Sequence, residues 1–284
     1  MEKIRVGGVP EHFNLPWHLA KENKHFEKEG IDVDWINYSG GTGAMTRALR
    51  NDEVDVCLLL TEGIVADIIK GSPSKVVGMY VNTPLIWGVH THVTNPIQYY
   101  GETYDKQYAI SRFGSGSHLI PIVDATLNKK KIKEEQFVVI KNLDGALETL
   151  EKHETDVFYW EKYTTKPWVD KGVLKRVGEF VTPWSCFAIA ATDRLIEERP
   201  EVLKRVMSII HFNCDQFMNA SNAIELVSKR YDQKLEDVEQ WFYSTEWATN
   251  DNVSTKMLRN VMYMLKQANI IEQEVPLHKV LRRI

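Results

Sequence analysis

Strand-like and helix-like hydrophobic patterns alternate along this chain from its first residues, and that alternation decides the fold class. Ile4–Val9 reads as a strand and 14–28 as a helix carrying Leu15, Leu19 and Phe26. After Gly30, Ile31-Asp32-Val33-Asp34-Trp35-Ile36 is a period-two strand. Helix 42–50, the apolar run Val54–Leu60, helix 62–70 and strands 76–81 and 85–90 continue the series. A βαβαβ order needs crossover helices, which cover the faces of a mainly parallel sheet. Residues 93–105 are polar and turn-rich, and a second α/β series follows them. It runs through strand 107–111, helix 118–129, strand 136–140, helix 144–152, strand 155–160, helix 161–170 and strand 173–177. Strand 187–191 then leads only into helices, at 194–198, 200–218, 221–231, 235–244 and 254–268.

A chain of 284 residues, 43% of them hydrophobic, has material for a sizeable core in one large or two medium domains. Its net charge of -4 argues against nucleic acid as a partner. No run of about 18 apolar residues is present, so no membrane-spanning helix is expected. Met1-Glu2-Lys3-Ile4-Arg5-Val6 enters a strand at once, without the apolar core of a signal peptide. The expected location is cytoplasmic, or periplasmic or extracellular if a leader has been removed. Cys57, Cys186 and Cys214 sit in apolar contexts and read as buried thiols. With no CxxC pair and no His/Cys cluster at zinc spacing, neither a structural metal nor a cofactor is expected.

Ligands of open α/β sheets bind beyond the C-terminal ends of the strands, so the loops there carry the candidate residues. The most informative is Ile110-Ser111-Arg112-Phe113-Gly114-Ser115-Gly116-Ser117-His118, a strand running through a glycine-rich turn into a helix. With Ser117 as N-cap and Pro121 in the first turn, backbone N–H groups of residues 115–118 form an anion site, and Arg112 can add charge. Ser39, Gly40, Gly41 and Thr42 repeat the design in the first series. Glu11 and His12, Glu62, Trp160 and Glu161 occupy equivalent loops, and Trp184 lies where the series change over. Each has a plainer reading: tryptophans are mostly core, loop histidines mostly structural, and carboxylates at helix starts mostly solvated. There is no GxSxG elbow, no HExxH and no GxxxxGK[ST], and no catalytic residue is assigned. Only His12, His118 and Glu62 offer themselves for acid–base work.

In order, these segments resemble the substrate-binding proteins of ABC importers for nitrate, aliphatic sulfonates and taurine, together with their thiamine-pyrimidine-synthase-like relatives. The resemblance is carried by the opening strand and the Pro10–Trp17 loop-helix, Tyr38-Ser39-Gly40-Gly41-Thr42, Asp55-Val56, and Thr61-Glu62-Gly63. It continues in Tyr108–His118, Asp156-Val157-Phe158-Tyr159-Trp160-Glu161 with Thr164-Thr165, and the Pro200 helix. It implies a two-lobed periplasmic-binding-protein-like (type II) fold, each lobe a mostly parallel sheet flanked by helices. Residues 1–90 with 187–284 would form one lobe and the inserted segment 91–186 the other. The implied activity is binding of a small anionic or heterocyclic metabolite between lobes that close about a hinge. The protein would serve as an importer subunit docking on an ABC permease, or as an intracellular carrier or sensor. Ser39, Gly40, Gly41 and Thr42 would bind from one lobe and Ser115, Gly116 and Ser117 from the other. The alternative is a cytosolic enzyme of thiamine-pyrimidine or related cofactor metabolism, although the cysteine-rich iron-binding run of those enzymes has no counterpart here.

Overall fold

The computed structural model describes residues 1–284, in two five-stranded sheets. The strands are β1 (Glu2–Gly8), β2 (Ile31–Asn37), β3 (Val56–Leu60), β4 (Ser74–Val81), β5 (Ile86–His92), β6 (Tyr108–Ile110), β7 (Phe137–Val139), β8 (Val157–Glu161), β9 (Leu174–Val181) and β10 (Phe187–Thr192). The first sheet has the order β2-β1-β3-β10-β4 and the second β7-β6-β8-β5-β9. The helices are α1 (Leu15–Glu22), α2 (His25–Lys28), α3 (Thr42–Arg50), α4 (Thr61–Ile69), α5 (Gly116–Leu127), α6 (Leu143–Glu151), α7 (Lys162–Asp170), α8 (Asp193–Glu198), α9 (Pro200–Asn219), α10 (Ala223–Tyr231), α11 (Leu235–Tyr243) and α12 (Thr255–Gln267). No helix is long and apolar enough to cross a membrane.

Both sheets are mixed, and the reason lies in the chain path. β1 pairs parallel with β2 and β3, whereas β10 pairs antiparallel with β3 and β4. β6 pairs parallel with β7 and β8, whereas β5 pairs antiparallel with β8 and β9. In each sheet the antiparallel strand is the one that has just crossed from the other lobe, entering without a helix to reverse it. β5 bonds only within the second sheet, to β8 and β9. The two crossovers lie side by side: Thr182 N–H donates to Leu85 O at 3.2 Å, Leu85 N–H to Thr182 Oγ1 at 3.2 Å and Cys186 N–H to Thr83 O at 3.0 Å. Paired extended segments of this kind can twist without breaking a core.

Central strands are apolar on both faces, as burial under helices on two sides requires: Val-Cys-Leu-Leu-Leu in β3 is wholly buried, as is β10. The main hydrophobic cluster runs continuously from Ile4 and Leu58 of the first sheet to Trp87, Ile110 and Tyr159 of the second. A smaller cluster around Ala109, Ile140, Leu150 and Phe158 fills the far side of the second sheet. α12 packs on both α4 and α5, so it touches both lobes. All three cysteines are free and buried, as their apolar neighbours implied.

Two local expectations need correction. Helix 14–28 is interrupted, because Lys24 takes a left-handed conformation (φ 59°) and ends α1 before α2 begins. The helix after the glycine-rich turn starts at Gly116, with Ser115 rather than Ser117 as N-cap. Pro121 therefore lies inside the helix rather than in its first turn, where it removes one backbone donor. Three small residues left the start of this helix undetermined from sequence.

Candidate functional site

The cleft between the lobes holds a cavity of about 50 Å³ whose lining comes from both sheets. From the first lobe come Gly41 and Thr42 at the start of α3, Leu60 at the end of β3, and Glu11. From the second come Ser115, Gly116 and Ser117 at the start of α5, Trp87 on β5, and Trp160 and Glu161 at the end of β8. β3 and β8 deliver their C-terminal ends here, and the antiparallel β5 and β10 their N-terminal ends.

The two helix starts face the cavity with donors to spare. Gly41 adopts φ 64°, a region glycine reaches without cost, and its carbonyl starts α3 by accepting from Ala44 and Met45 N–H. Thr42 Oγ1 accepts from Leu60 N–H at 3.1 Å, leaving its own proton free. Opposite, Ser115 Oγ donates to Arg112 O at 2.7 Å and lies 3.1 Å from Ser117 Oγ, which accepts from Ser111 N–H at 2.9 Å. The N–H groups of Gly116 and Ser117 begin α5 and have no carbonyl within the helix to bond. A ligand acceptor at this point would meet the positive end of the helix dipole, an attraction of about 0.3–1 kcal/mol, rising to about 2 kcal/mol when partly buried.

The carboxylates are positioned by different means. Glu161 is 5% exposed and caps α7, accepting from Tyr163 N–H at 3.0 Å, Thr164 N–H at 2.7 Å and Thr164 Oγ1–H at 2.8 Å. Burial raises its pKa against those hydrogen bonds. Glu11 leads into the His12–Asn14 turn, which is pinned because Phe13 O accepts from Tyr80 OH at 2.6 Å and Trp247 Nε1–H at 2.9 Å. Glu11 keeps some accessible surface, yet the protein is dense around it. Burial first, and the Glu161 charge second, push it up to about 8. No hydrogen bond from the protein offsets this.

Not every residue singled out from sequence arrives in the cavity. His12 is 1% exposed, stacks on Trp241 and Phe13 with ring centroids 4.2 and 4.4 Å away, and shares Nδ1 with Gln233 Nε2 at 3.0 Å. Burial lowers its pKa to about 3, so it is a neutral core residue. His118 turns away to take Gly114 N–H at 3.1 Å, between Phe113 and Phe137. Ser39 is exposed. Arg112 packs on Gly40, where an added Cβ would stand 2.0 Å from Nη2, and burial followed by the Arg47 charge lowers its pKa. It does not line the cavity. Glu62 and Trp184 meet beneath the crossover, with Trp184 Nε1–H donating to Glu62 Oε2 at 2.9 Å.

Sequence reasoning missed Trp87 as a cleft residue. It pairs directly opposite Glu161 in the β5–β8 register, so the two side chains share one sheet face. Nothing local in Trp87-Gly88-Val89 signals that pairing. Farther out, Lys166 of α7 reaches Asp237 of α11 at 3.3 Å, and Lys234 reaches Asp170 at 2.7 Å, joining the lobes on the solvent side.

Two five-stranded α/β lobes, exchanged at paired crossover strands and meeting over a cavity, define the periplasmic-binding-protein fold. The family model described as Ca3427-like PBP matches residues 87–180. The Candida albicans CA3427 gene product, described as exhibiting the generic periplasmic binding protein structural fold, superposes with a TM-score of 0.92 at 23% identity, covering 100% of this chain and 97% of that one. The alkanesulfonate-binding protein SsuA from Xanthomonas axonopodis pv. citri, bound to MOPS, gives 0.84 at 12% identity, covering 100% and 99%. The periplasmic aliphatic sulphonate binding protein SsuA from Escherichia coli gives 0.73 at 13% identity, covering 98% and 97%. No curated protein sequence matches. The two-lobed fold implied by the sequence resemblance is therefore the fold of this chain.

Proposed function

We propose that this protein binds a small organic metabolite in the inter-lobe cavity and closes its lobes over it, acting in ligand delivery or sensing rather than catalysis. The supporting observation is that the α3 and α5 starts, one from each lobe, line a single cavity with unpaired donors. In this reading the lobes, close to 1–90 with 187–284 and 91–186, turn about the paired crossovers. We read the cavity of about 50 Å³ as that of closed lobes, since it is far below the several hundred Å³ of typical small-molecule sites. Delivery to an ABC permease is the role that a similar structure, the ligand binding component of an ABC-type import system from Staphylococcus aureus, suggests, and intracellular carriage is the other.

A thermal-shift screen of sulfonates, nitrate, amino acids and nitrogen heterocycles, followed by small-angle scattering with the best ligand, tests the reading. The expected result is saturable stabilisation, with a bound radius of gyration equal to or smaller than the free one. Consumption of many equivalents of that ligand per protein would replace binding by catalysis.

The pairs Lys166–Asp237 and Lys234–Asp170 act as a latch on the closed form. Replacing Lys166 and Lys234 together by alanine is expected to weaken affinity roughly two- to thirtyfold, because exposed pairs contribute only about 0.2–1 kcal/mol each. Raising the salt concentration should shrink the difference from wild type in calorimetric titrations. A difference that salt leaves unchanged would count against the latch.

A further inference from the structure

Resting on the cleft-binding reading above, we infer that the ligand is bipolar: a cationic or N–H-donating nitrogen group sits between Glu11 and Glu161, and an acceptor group faces Trp87 and the start of α5. The cavity lining contains two carboxylates and no lysine, arginine or histidine. A simple inorganic or alkyl anion filling it would face two carboxyl groups with no compensating side chain, whereas a cationic nitrogen would draw the proton from Glu11, whose pKa is raised to about 8 without it, and pair with the carboxylate. Burying an unpaired charge is costly, and buried charges are paired in working sites.

The two carboxylates differ in how much capacity they have left. Glu161 spends part of its capacity on Tyr163 and Thr164, which fixes its direction. Glu11 accepts nothing from the protein and forms no ion pair, so its acceptor sites are free for a ligand. Arg176, whose charge acts on Glu161, is the weakest of the influences there and does not line the cavity.

A second, independent observation concerns the acceptor end. Trp87, 4% exposed, lines the same cavity, and its indole Nε1–H has no partner in the protein. A buried indole donor usually finds a partner. Trp87 and Glu161 are register partners, so a donor and an acceptor stand next to each other on one sheet face. A ligand that presents a positive nitrogen beside an acceptor oxygen or ring nitrogen satisfies both. Trp160 and Phe187 supply apolar walls around them.

The test uses the full chain and matched probes: acetamidinium against acetamide, and β-alanine against propionate, each at saturating concentration in thermal-shift and calorimetric titrations. Wild type is compared with Glu11→Gln, a change at a side chain that bonds nothing in the fold, and with Gly116→Val. The expected result is that acetamidinium and β-alanine stabilise wild type more than their partners do. Their affinity should fall roughly tenfold or more in Glu11→Gln, the value of a charge-assisted hydrogen bond. Equal responses of wild type and Glu11→Gln to both cationic probes, including no response from either, overturn the inference. If propionate still binds and Gly116→Val removes it, the cleft remains the site and only the cationic subsite falls. Probe responses that Gly116→Val leaves untouched overturn the cleft reading, and this inference with it.

Discussion

Replacing Gly116 by valine is expected to abolish ligand-induced stabilisation while leaving a folded protein. A Cβ at Gly116 would stand 2.4 Å from Leu60 Cδ1 and 2.4 Å from Trp87 Cη2. Leu60 belongs to the first lobe and Trp87 to the second, so the added side chain acts as a wedge between them. The end of Leu60 can rotate, but the Trp87 ring is 4% exposed and cannot. Overpacking of this kind costs about 1–3 kcal/mol. Opening the cleft relieves the contact with Leu60 but not that with Trp87, which stands in the same lobe as Gly116, so part of the cost falls on the closed state and part on the second lobe. Affinity that depends on closure should drop by about 5- to 150-fold. A ligand present at about a hundred times its dissociation constant stabilises wild type by roughly 2.7 kcal/mol, and most of that should vanish. Gly101→Ala is the control, because nothing lies within 4 Å of the position its Cβ would take. Unchanged calorimetric affinity in Gly116→Val would remove the α5 start from the site.

The second large effect is a pH dependence of stability that originates in Glu62. This residue is 0% exposed, Trp184 Nε1–H is bonded to one of its oxygens, and the other has no partner. Burial raises its pKa from 4.5 to about 7, with hydrogen bonds from its own backbone and from Trp184 opposing the shift. Between those values the native state holds a proton that the unfolded chain releases, so stability falls as pH rises. The contribution is fully present below about pH 4.5 and is lost on passing through about pH 7, amounting to on the order of 3 kcal/mol. Glu62→Gln keeps an acceptor for Trp184 and removes the titration. The stability of Glu62→Gln minus that of wild type should therefore grow from pH 4.5 to 7 and then level off. Taking the difference cancels the opposite trend of His12 and His90, whose pKa values burial lowers to about 3. A difference curve flat across that window would show that Glu62 is ionised throughout. Because Trp184 lies in the crossover, the same titration reaches the segment about which the lobes would turn.

Helix-period and strand-period runs, read locally, located nearly every element within two residues, since β3 and β10 are apolar throughout and α3 and α12 are amphipathic. Glycine, serine and threonine between a strand and a helix identified Gly41, Thr42, Ser115, Gly116 and Ser117, all of which line the cavity. That much follows from hydrogen-bond supply within a few residues of chain. What the sequence left open depends on distances between residues far apart in the chain. The opposite orientation of β5 and β10 comes from where each crossover enters its sheet, which no local pattern encodes. His12 and Glu11 are neighbours with equal claims by type. Only the aromatic packing around Trp241 draws the histidine inward and leaves the carboxylate at the cavity. Trp87 and Trp184 likewise look alike in sequence. A cross-strand partner turns one to the cavity beside Glu161, and a buried carboxylate on α4 holds the other beneath the hinge. Sequence by itself determined the elements and the supply of donors at their ends, because those depend on short-range periodicity and unpaired backbone. Tertiary structure alone decided which side chains share the cavity, because side-chain direction is settled by packing between residues that are distant along the chain.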